Sequence, residues 1–487
     1  MKSFTPDIVP IPTKFRQNLL SQDQVQKLKA GTLHILETIG VHFPSERALA
    51  IFSDHGAVVD HEHKIVRIPP DLVEKAMATA PRAFTLGGRE ERFDLFLDGQ
   101  NSYLCTDGCG VHVVDVETRE MRASRKEDVA RMARVSDALP MISFFWPLVS
   151  AQDHGRTAPL HECHAGLTNT LKHVRGGTTV FPELAGAIVE MATVVRGSVA
   201  ERRKRPPICA NICTIAPLAH DQHGIETALV YAEAGIPTSF MAMTTMGSTA
   251  PATPLGALLT GDAEVVSAMV LMQLAFPGAP VFHSVIVSLM NPRTGGYIGE
   301  LPLPVSWLAT QMAHDAWHVP SLGGGSTASD SPINGWMSGF DGGRGGMHIP
   351  LAGGEITGFL GLLDSAMILT PEKIILDYEV CESIYESFFG FEFAEEDMAL
   401  EQIAEVGPKS HFLMQKHTRT HMRDFRYSPI LRQKGTAGVD RDPLEVAYQE
   451  FCQLDKTHQP EPLPDDVLVE LDAILAAADK QAERLGG

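Results

Sequence analysis

The sequence predicts an α/β protein: a (β/α)8 barrel over residues 101–390, with an α+β extension over 1–100 and a helical segment over 391–487. Three observations lead there. From about residue 100, short runs rich in β-branched and aromatic residues alternate with stretches of helical period. Eight such units span roughly 250 residues, the size of a barrel domain. Glycine-rich segments fall where the β-rich runs end, which is where a barrel carries its chemistry. A doubly wound sheet has the same local signals and stays open as the alternative.

In chain order, Ser21 and Gln24 form a capping-box pattern ahead of a first helix that Gly40 closes, and Ser45 starts a second. Residues 57–60 and 64–68 flank a polar turn and read as a hairpin, after which Pro69 and Pro70 open a third helix. Strands are expected over 102–107, 141–150, 173–181, 207–216, 236–243, 281–289, 319–325 and 355–360. Helices are expected over 126–138 (capped by Ser124 with Glu127), 158–172, 182–195, 221–234, 254–275 and 304–317. The stretch from Asn334 to His348 reads as a loop, because five glycines in eight residues (339, 342, 343, 345 and 346) preclude a stable helix and let a ligand approach the backbone.

A formal charge of −20 argues against a nucleic-acid partner. The N-terminus has no signal-peptide core, and the best membrane candidate, 263–282, is interrupted by Glu264, Gln273 and Pro277–Gly278, so no membrane span is expected. Seven scattered cysteines read as reduced thiols of a cytoplasmic enzyme. The chain contains no GxxxxGK[ST], GxGxxG or GxSxG pattern. His161-Glu162-Cys163-His164 is dense in metal-ligand types, but no HExxH or CxxC accompanies it, and it reads as a polar helix face near a subunit contact. No metal is expected. Asp60-His61-Glu62-His63 sits in the hairpin turn and reads as solvated.

Substrate-binding candidates cluster at the expected barrel mouth. Aromatic residues make up only 7% of the chain, yet Tyr103, Trp336, Phe340 and Phe359 fall in or beside its loops. Ring faces bind a quaternary ammonium, by about 1–2 kcal/mol per desolvated contact. Asp107 ends the first strand, and Glu355 begins the last, with Phe359 on the same face. Arg344 and His348 lie where they can pair with a carboxylate.

The segments Ser321–Thr327, Ala352–Ile356, Gly361–Ala366, Pro371–Glu379, Asp115–Ser124 and Val406–Leu413, with His417-Thr418, resemble in their order the trimethylamine methyltransferase family. The resemblance runs from the first helix to about residue 432. It implies a barrel enzyme that moves a methyl group from a methylated amine to the Co(I) of a separate corrinoid protein, so cobalamin is supplied in trans and none is bound tightly. Trimethylamine-using members contain pyrrolysine; this chain has only standard residues and resembles the members acting on glycine betaine and related quaternary amines. Such substrates fit the chemistry, since a quaternary ammonium leaves as a neutral amine and needs no proton. Carnitine, proline betaine and γ-butyrobetaine are rival donors. A non-catalytic betaine-binding protein, and a zinc hydrolase using His161 and His164, are the readings from other classes. A homo-oligomer is expected.

Overall fold

Eight strands carry the fold: β1 (Asn101–Thr106), β2 (Ile142–Phe145), β3 (His173–Arg175), β4 (Ile208–Cys213), β5 (Thr238–Met246), β6 (Val281–Met290), β7 (Leu322–Ser326) and β8 (Ile356–Leu360). Each overlaps one of the expected runs. The computed structural model describes residues 4–176, 181–299, 304–422 and 441–484, so part of the third expected run, 177–180, lies outside the described residues. From β1 to β6 each strand pairs in parallel with the next, and β8 pairs in parallel with both β1 and β7. The two ends of the sheet, β6 and β7, meet in one parallel bridge, His283–Ser321, where the His283 amide donates to Pro320 O at 3.0 Å. The architecture is a curled parallel sheet with helices packed on its outer face.

Among the described residues, three buried apolar clusters follow from that arrangement. Two lie between the sheet and the helices, and the third lies within the curl, where Tyr103, Phe144, Trp146, Met241, Phe282 and Phe359 meet. The antiparallel hairpin Phe84–Leu86/Leu95–Leu97 adds three leucines to the inner cluster and sets Phe84 edge-on to Phe282, ring centres 5.0 Å apart. Phe282 and Ile356 begin their strands, so this hairpin covers the N-terminal end of the sheet.

Local signals account for most of the remaining elements. Ser21 and Gln24 form both halves of the expected capping box, Gly40 adopts φ 85° where the first helix ends, and Ser45 caps the second. Val58–Asp60 and Ile65–Arg67 form the expected hairpin. The helices α1 (Lys126–Ala138), α2 (Ala158–Asn169), α3 (Pro182–Arg196), α4 (Gln222–Ala234), α5 (Pro254–Ala275) and α6 (Val305–Met312) fall where periodicity puts them. By length and composition α5 is apolar enough to cross a membrane, but here it is a core helix, and its charged interruptions are partnered. Asp262 accepts from His283 Nε2 at 2.7 Å, and Glu264 accepts from the Leu218 amide at 2.8 Å.

Two local expectations fail. The cap of α1 is Arg125, whose amide donates to Asp128 at 2.9 Å; Ser124 instead donates to Ser150 O. More consequentially, the expected glycine-rich loop is the helix α7 (Trp336–Ala352). Each helical glycine costs about 1 kcal/mol against alanine, but tertiary packing overrides propensity here. A Cβ built on Gly345 would lie 1.9 Å from Ser326 O, so the glycine lets α7 pack backbone to backbone on β7. The helix α8 (Pro371–Phe389) follows β8.

Near the C-terminus, α9 (Pro443–Thr457) and α10 (Asp465–Arg484) pack back on the helical layer. There the His161–His164 run is accounted for. His161 Nε2 lies 3.1 Å from Asp479 and His164 Nε2 3.1 Å from Asp472, so the polar face of α2 meets α10. Among the described residues no group of three His, Cys, Asp or Glu side chains is arranged to hold a metal.

Candidate active site

A cavity of about 440 Å³ opens at the C-terminal ends of the strands, within the range of small-molecule sites. Its walls come from several elements. Asp107 and Cys109 follow β1, Trp146 follows β2, Met243 lies on β5, Phe359 lies on β8, and Gly323–Ser326 form β7. Arg344 and His348 reach it from α7.

Asp107 is buried, and only one of its carboxylate oxygens is satisfied: Oδ1 accepts from the Gly108 amide at 2.9 Å, while Oδ2 has no hydrogen-bond partner. Burial pushes this carboxyl up to about 7; nearby Asp377 adds to the rise, and Lys373 and Arg175 oppose it. Trp146 stands beside it, 7% exposed and edge-on to Phe359 with ring centres 6.2 Å apart. A Cβ on Gly108 would fall 2.6 Å from the indole Nε1, so only glycine fits between them.

Arg344 and His348 are one helical turn apart on α7 and share the face turned to the cavity. The His348 ring lies 5.8 Å from Trp307, and burial, reinforced by the Arg344 charge, holds its pKa below the ordinary imidazole value. At neutral pH His348 is therefore uncharged, and Arg344 carries the positive charge of this wall.

Backbone strain concentrates at the same place. Phe359 has φ 47°, and Asp364, Ser365 and Ala366 follow one another with φ between 53° and 68°. Non-glycine residues in this region cost on the order of 1–3 kcal/mol each and persist only where their surroundings hold them. The Asp364 and Ser365 amides donate to Ser331 O at 2.9 Å and Ser329 O at 3.1 Å, and Asp330 adds a side-chain tie. Its Oδ1 accepts from Ser365 Oγ at 2.6 Å, and its Oδ2 accepts from the Gly299 amide at 2.8 Å, tying the turn to the segment that follows β6. Asp330→Ala is expected to release both, raising KM several-fold and lowering kcat, with a Tm drop of a few degrees by calorimetry. Unchanged kinetics would show that the turn holds itself.

The sequence-selected residues divide. Asp107, Arg344, His348 and Phe359 converge on the cavity. Tyr103 and Glu355 lie at the opposite end of the sheet: Tyr103 Oη accepts from the Phe96 amide at 3.2 Å, and Glu355 binds His314 Nε2 at 2.9 Å and the Ser321 amide at 2.7 Å. Tyr103 lies in the first half of β1 and Glu355 just before β8, where inward direction was legible but depth was not. Trp336 and Phe340 are 83% and 51% exposed and lie outside the cavity, because the supposed loop is a helix whose other face points to solvent. Sequence reasoning missed Trp146, although an indole closing an apolar strand just before Pro147 was a usable signal. It missed Asp330 and Ser365 as well, and nothing local marks them.

A family profile described as trimethylamine methyltransferase matches residues 5–482. The chain belongs to this family. It is a methyltransferase, and its similarity to known proteins extends over nearly its whole length. The methyltransferase is 30% identical to the trimethylamine methyltransferase of Desulfitobacterium hafniense, covering 95% of this chain and 94% of that one. It is 29% identical to a glycine betaine methyltransferase of the same species, covering 96% and 98%. In structure, the methyltransferase resembles the crystallised monomethylamine methyltransferase of Methanosarcina barkeri, with a TM-score of 0.50, 13% identity, and 98% and 90% of the two chains covered. That likeness supports the mixed α/β fold.

Proposed function

We propose that this enzyme removes a methyl group from a small quaternary amine bearing a carboxylate, glycine betaine first among them, and transfers it to the Co(I) of a separate corrinoid protein. The reading takes the curled sheet as a closed (β/α)8 barrel over 101–390, flanked by the segments 1–100 and 391–487. The β6–β7 bridge at His283–Ser321 supports that closure.

One observation carries the substrate assignment: in largely apolar walls the cavity sets Asp107 beside two rings and Arg344 beside His348, while its other carboxylate, Asp330, is engaged by Ser365 Oγ and the Gly299 amide. Asp107, Trp146 and Phe359 offer a part-time anion and two rings, suited to an ammonium. Arg344, with neutral His348 beside it, offers a cation and a further hydrogen-bonding group, suited to a carboxylate.

The corrinoid partner supplies a metal nucleophile, so the chain needs none of its own. The cavity suits a small amine and is too small to enclose a corrin as well, so the acceptor has to be presented at the mouth, where Tyr297 is half-exposed. In the reaction the C–N bond breaks, its electron pair stays on nitrogen, and the methyl carbon bonds to the acceptor's electron pair. The amine departs neutral, so no proton is transferred. What remains for the protein is to orient one methyl group outward and keep water away. The deciding experiment supplies reduced corrinoid protein and glycine betaine and measures dimethylglycine. Product that depends on both supports the reading. Turnover of trimethylamine and not betaine would defeat it.

The carboxyl of Asp107 makes the binding step pH-dependent. Its pKa near 7 means that it ionises as pH rises through neutrality, so calorimetric affinity for betaine is expected to increase from pH 6 to 8 and then level off. Asp107→Asn should flatten this profile. The linkage to stability has the opposite sign: a carboxyl raised from 3.8 to about 7 on folding makes the folded state lose stability as pH climbs through that interval. At pH 8 Asp107→Asn should therefore melt higher than wild type. A wild-type affinity flat from pH 6 to 8 would remove Asp107 from the binding step.

A further inference from the structure

Arg175 lies on β3 within the curl of the sheet, 1% exposed. Its guanidinium stacks on the Trp146 ring, 3.4 Å from the ring centre. Nη2 donates to Ser239 Oγ at 3.1 Å, while Nε and Nη1, both buried, have no hydrogen-bond partner. Among the described residues it makes no ion pair, and the groups its charge acts on are the thiols of Cys105, Cys109, Cys209 and Cys213 and the carboxyl of Asp107. A guanidinium keeps its proton throughout the physiological range. The protein thus buries a permanent positive charge without pairing it, which is a costly arrangement. Packing alone would be better served by an apolar side chain.

The position of that charge supplies a reason. Trp146 lines the cavity and Arg175 does not, so one face of the ring is already occupied by a cation and only the rest is offered to a ligand. We propose that Arg175 is a positioning residue that acts through Trp146 to weaken the cavity's hold on a positively charged methylammonium, and so favours the state in which that charge has left nitrogen. The inference rests on the quaternary-amine reading above. A ring attracts a cation through its negative face, and a guanidinium on the opposite face opposes that attraction. A ligand ammonium in contact with Trp146 would be roughly 8 Å from the guanidinium, where an effective dielectric of about 20 leaves a repulsion worth on the order of tenfold in binding or more. As the C–N bond breaks, the positive charge passes from nitrogen to the transferring methyl and the repulsion is relieved. Arg175 therefore raises the bound ground state more than the transition state, and this increases KM and kcat together.

The test compares glycine betaine with 3,3-dimethylbutanoate, its carbon isostere with no charge at the quaternary centre, by calorimetry on the full chain. Arg175→Met should increase the preference for betaine over the isostere by about tenfold, and Arg175→Lys should restore the wild-type ratio. In turnover with reduced corrinoid protein, Arg175→Met should lower KM and kcat together, a pairing that a merely structural defect would not produce. If Arg175→Met does not fold, the wild-type ratio decides: betaine favoured by no more than a few-fold supports the proposal, and a preference of a hundredfold overturns it. An unchanged ratio in a folded Arg175→Met also overturns it, while leaving the substrate reading intact. Wild type that binds the isostere but not betaine, or neither, defeats the quaternary-amine reading and this inference with it.

Discussion

Replacing Arg344 with alanine is expected to raise KM for glycine betaine by about 10- to 150-fold while leaving kcat within a few-fold. That range is the loss of a charge-assisted hydrogen bond worth roughly 1.5–3 kcal/mol. The carboxylate end does not react, so its contact contributes equally to ground and transition states, and losing it changes binding rather than the chemical step. The structure makes Arg344 the sharper of the two tests on α7, because burial and its neighbour's charge keep His348 uncharged at neutral pH. Choline supplies the control, having the same ammonium and no carboxylate. In Arg344→Ala the wild-type preference for betaine over choline should vanish. If it survives, the anchor lies on another wall of the cavity.

The second large effect is on stability. Gly345→Ala is expected to destabilise the protein by at least about 3 kcal/mol, lowering Tm by several degrees or preventing soluble expression. Its Cβ would stand 1.9 Å from Ser326 O, and backbone cannot swing aside as a flexible side chain can. Gly343 is the matched control: it lies in the same helix with nothing within 4 Å of its Cβ. Gly343→Ala should gain about 0.5–1 kcal/mol from helix propensity alone. Equal effects at the two positions would refute the account of α7 as a helix seated on β7 by missing side chains.

That helix also marks where sequence reasoning stopped. Alternation of period 2 and of period 3.6 located the eight strands and the helices between them, because those patterns record which face is buried. It also brought Asp107, Arg344, His348 and Phe359 to one end of the sheet. It failed at Asn334–His348, where the usual meaning of glycine as a helix breaker competes with its meaning as a spacer for close packing. Only the neighbouring strand decides between them. The same limit placed Trp336 and Phe340 in the cavity when they face solvent, and Tyr103 and Glu355 at the wrong end. Nothing local marks Arg175, which ends the short His-Val-Arg strand; the role proposed for it depends on Trp146, some thirty residues earlier in the chain.

The packing of α7 has a consequence for how such an enzyme can change over time. Gly345 cannot be altered without moving β7, whereas Arg344 and His348, on either side of it, line the cavity, with Arg344 3.9 Å from Asp341 and the His348 ring 5.8 Å from Trp307. Heritable variation is thus blocked at the contact and permitted at the cavity wall. A lineage could exchange a carboxylate anchor for a neutral or apolar wall in one or two codon changes, with the helix, the strand and the methyl-donating end left as they are. Diversity of methyl donors on a constant backbone is what such a division of labour allows.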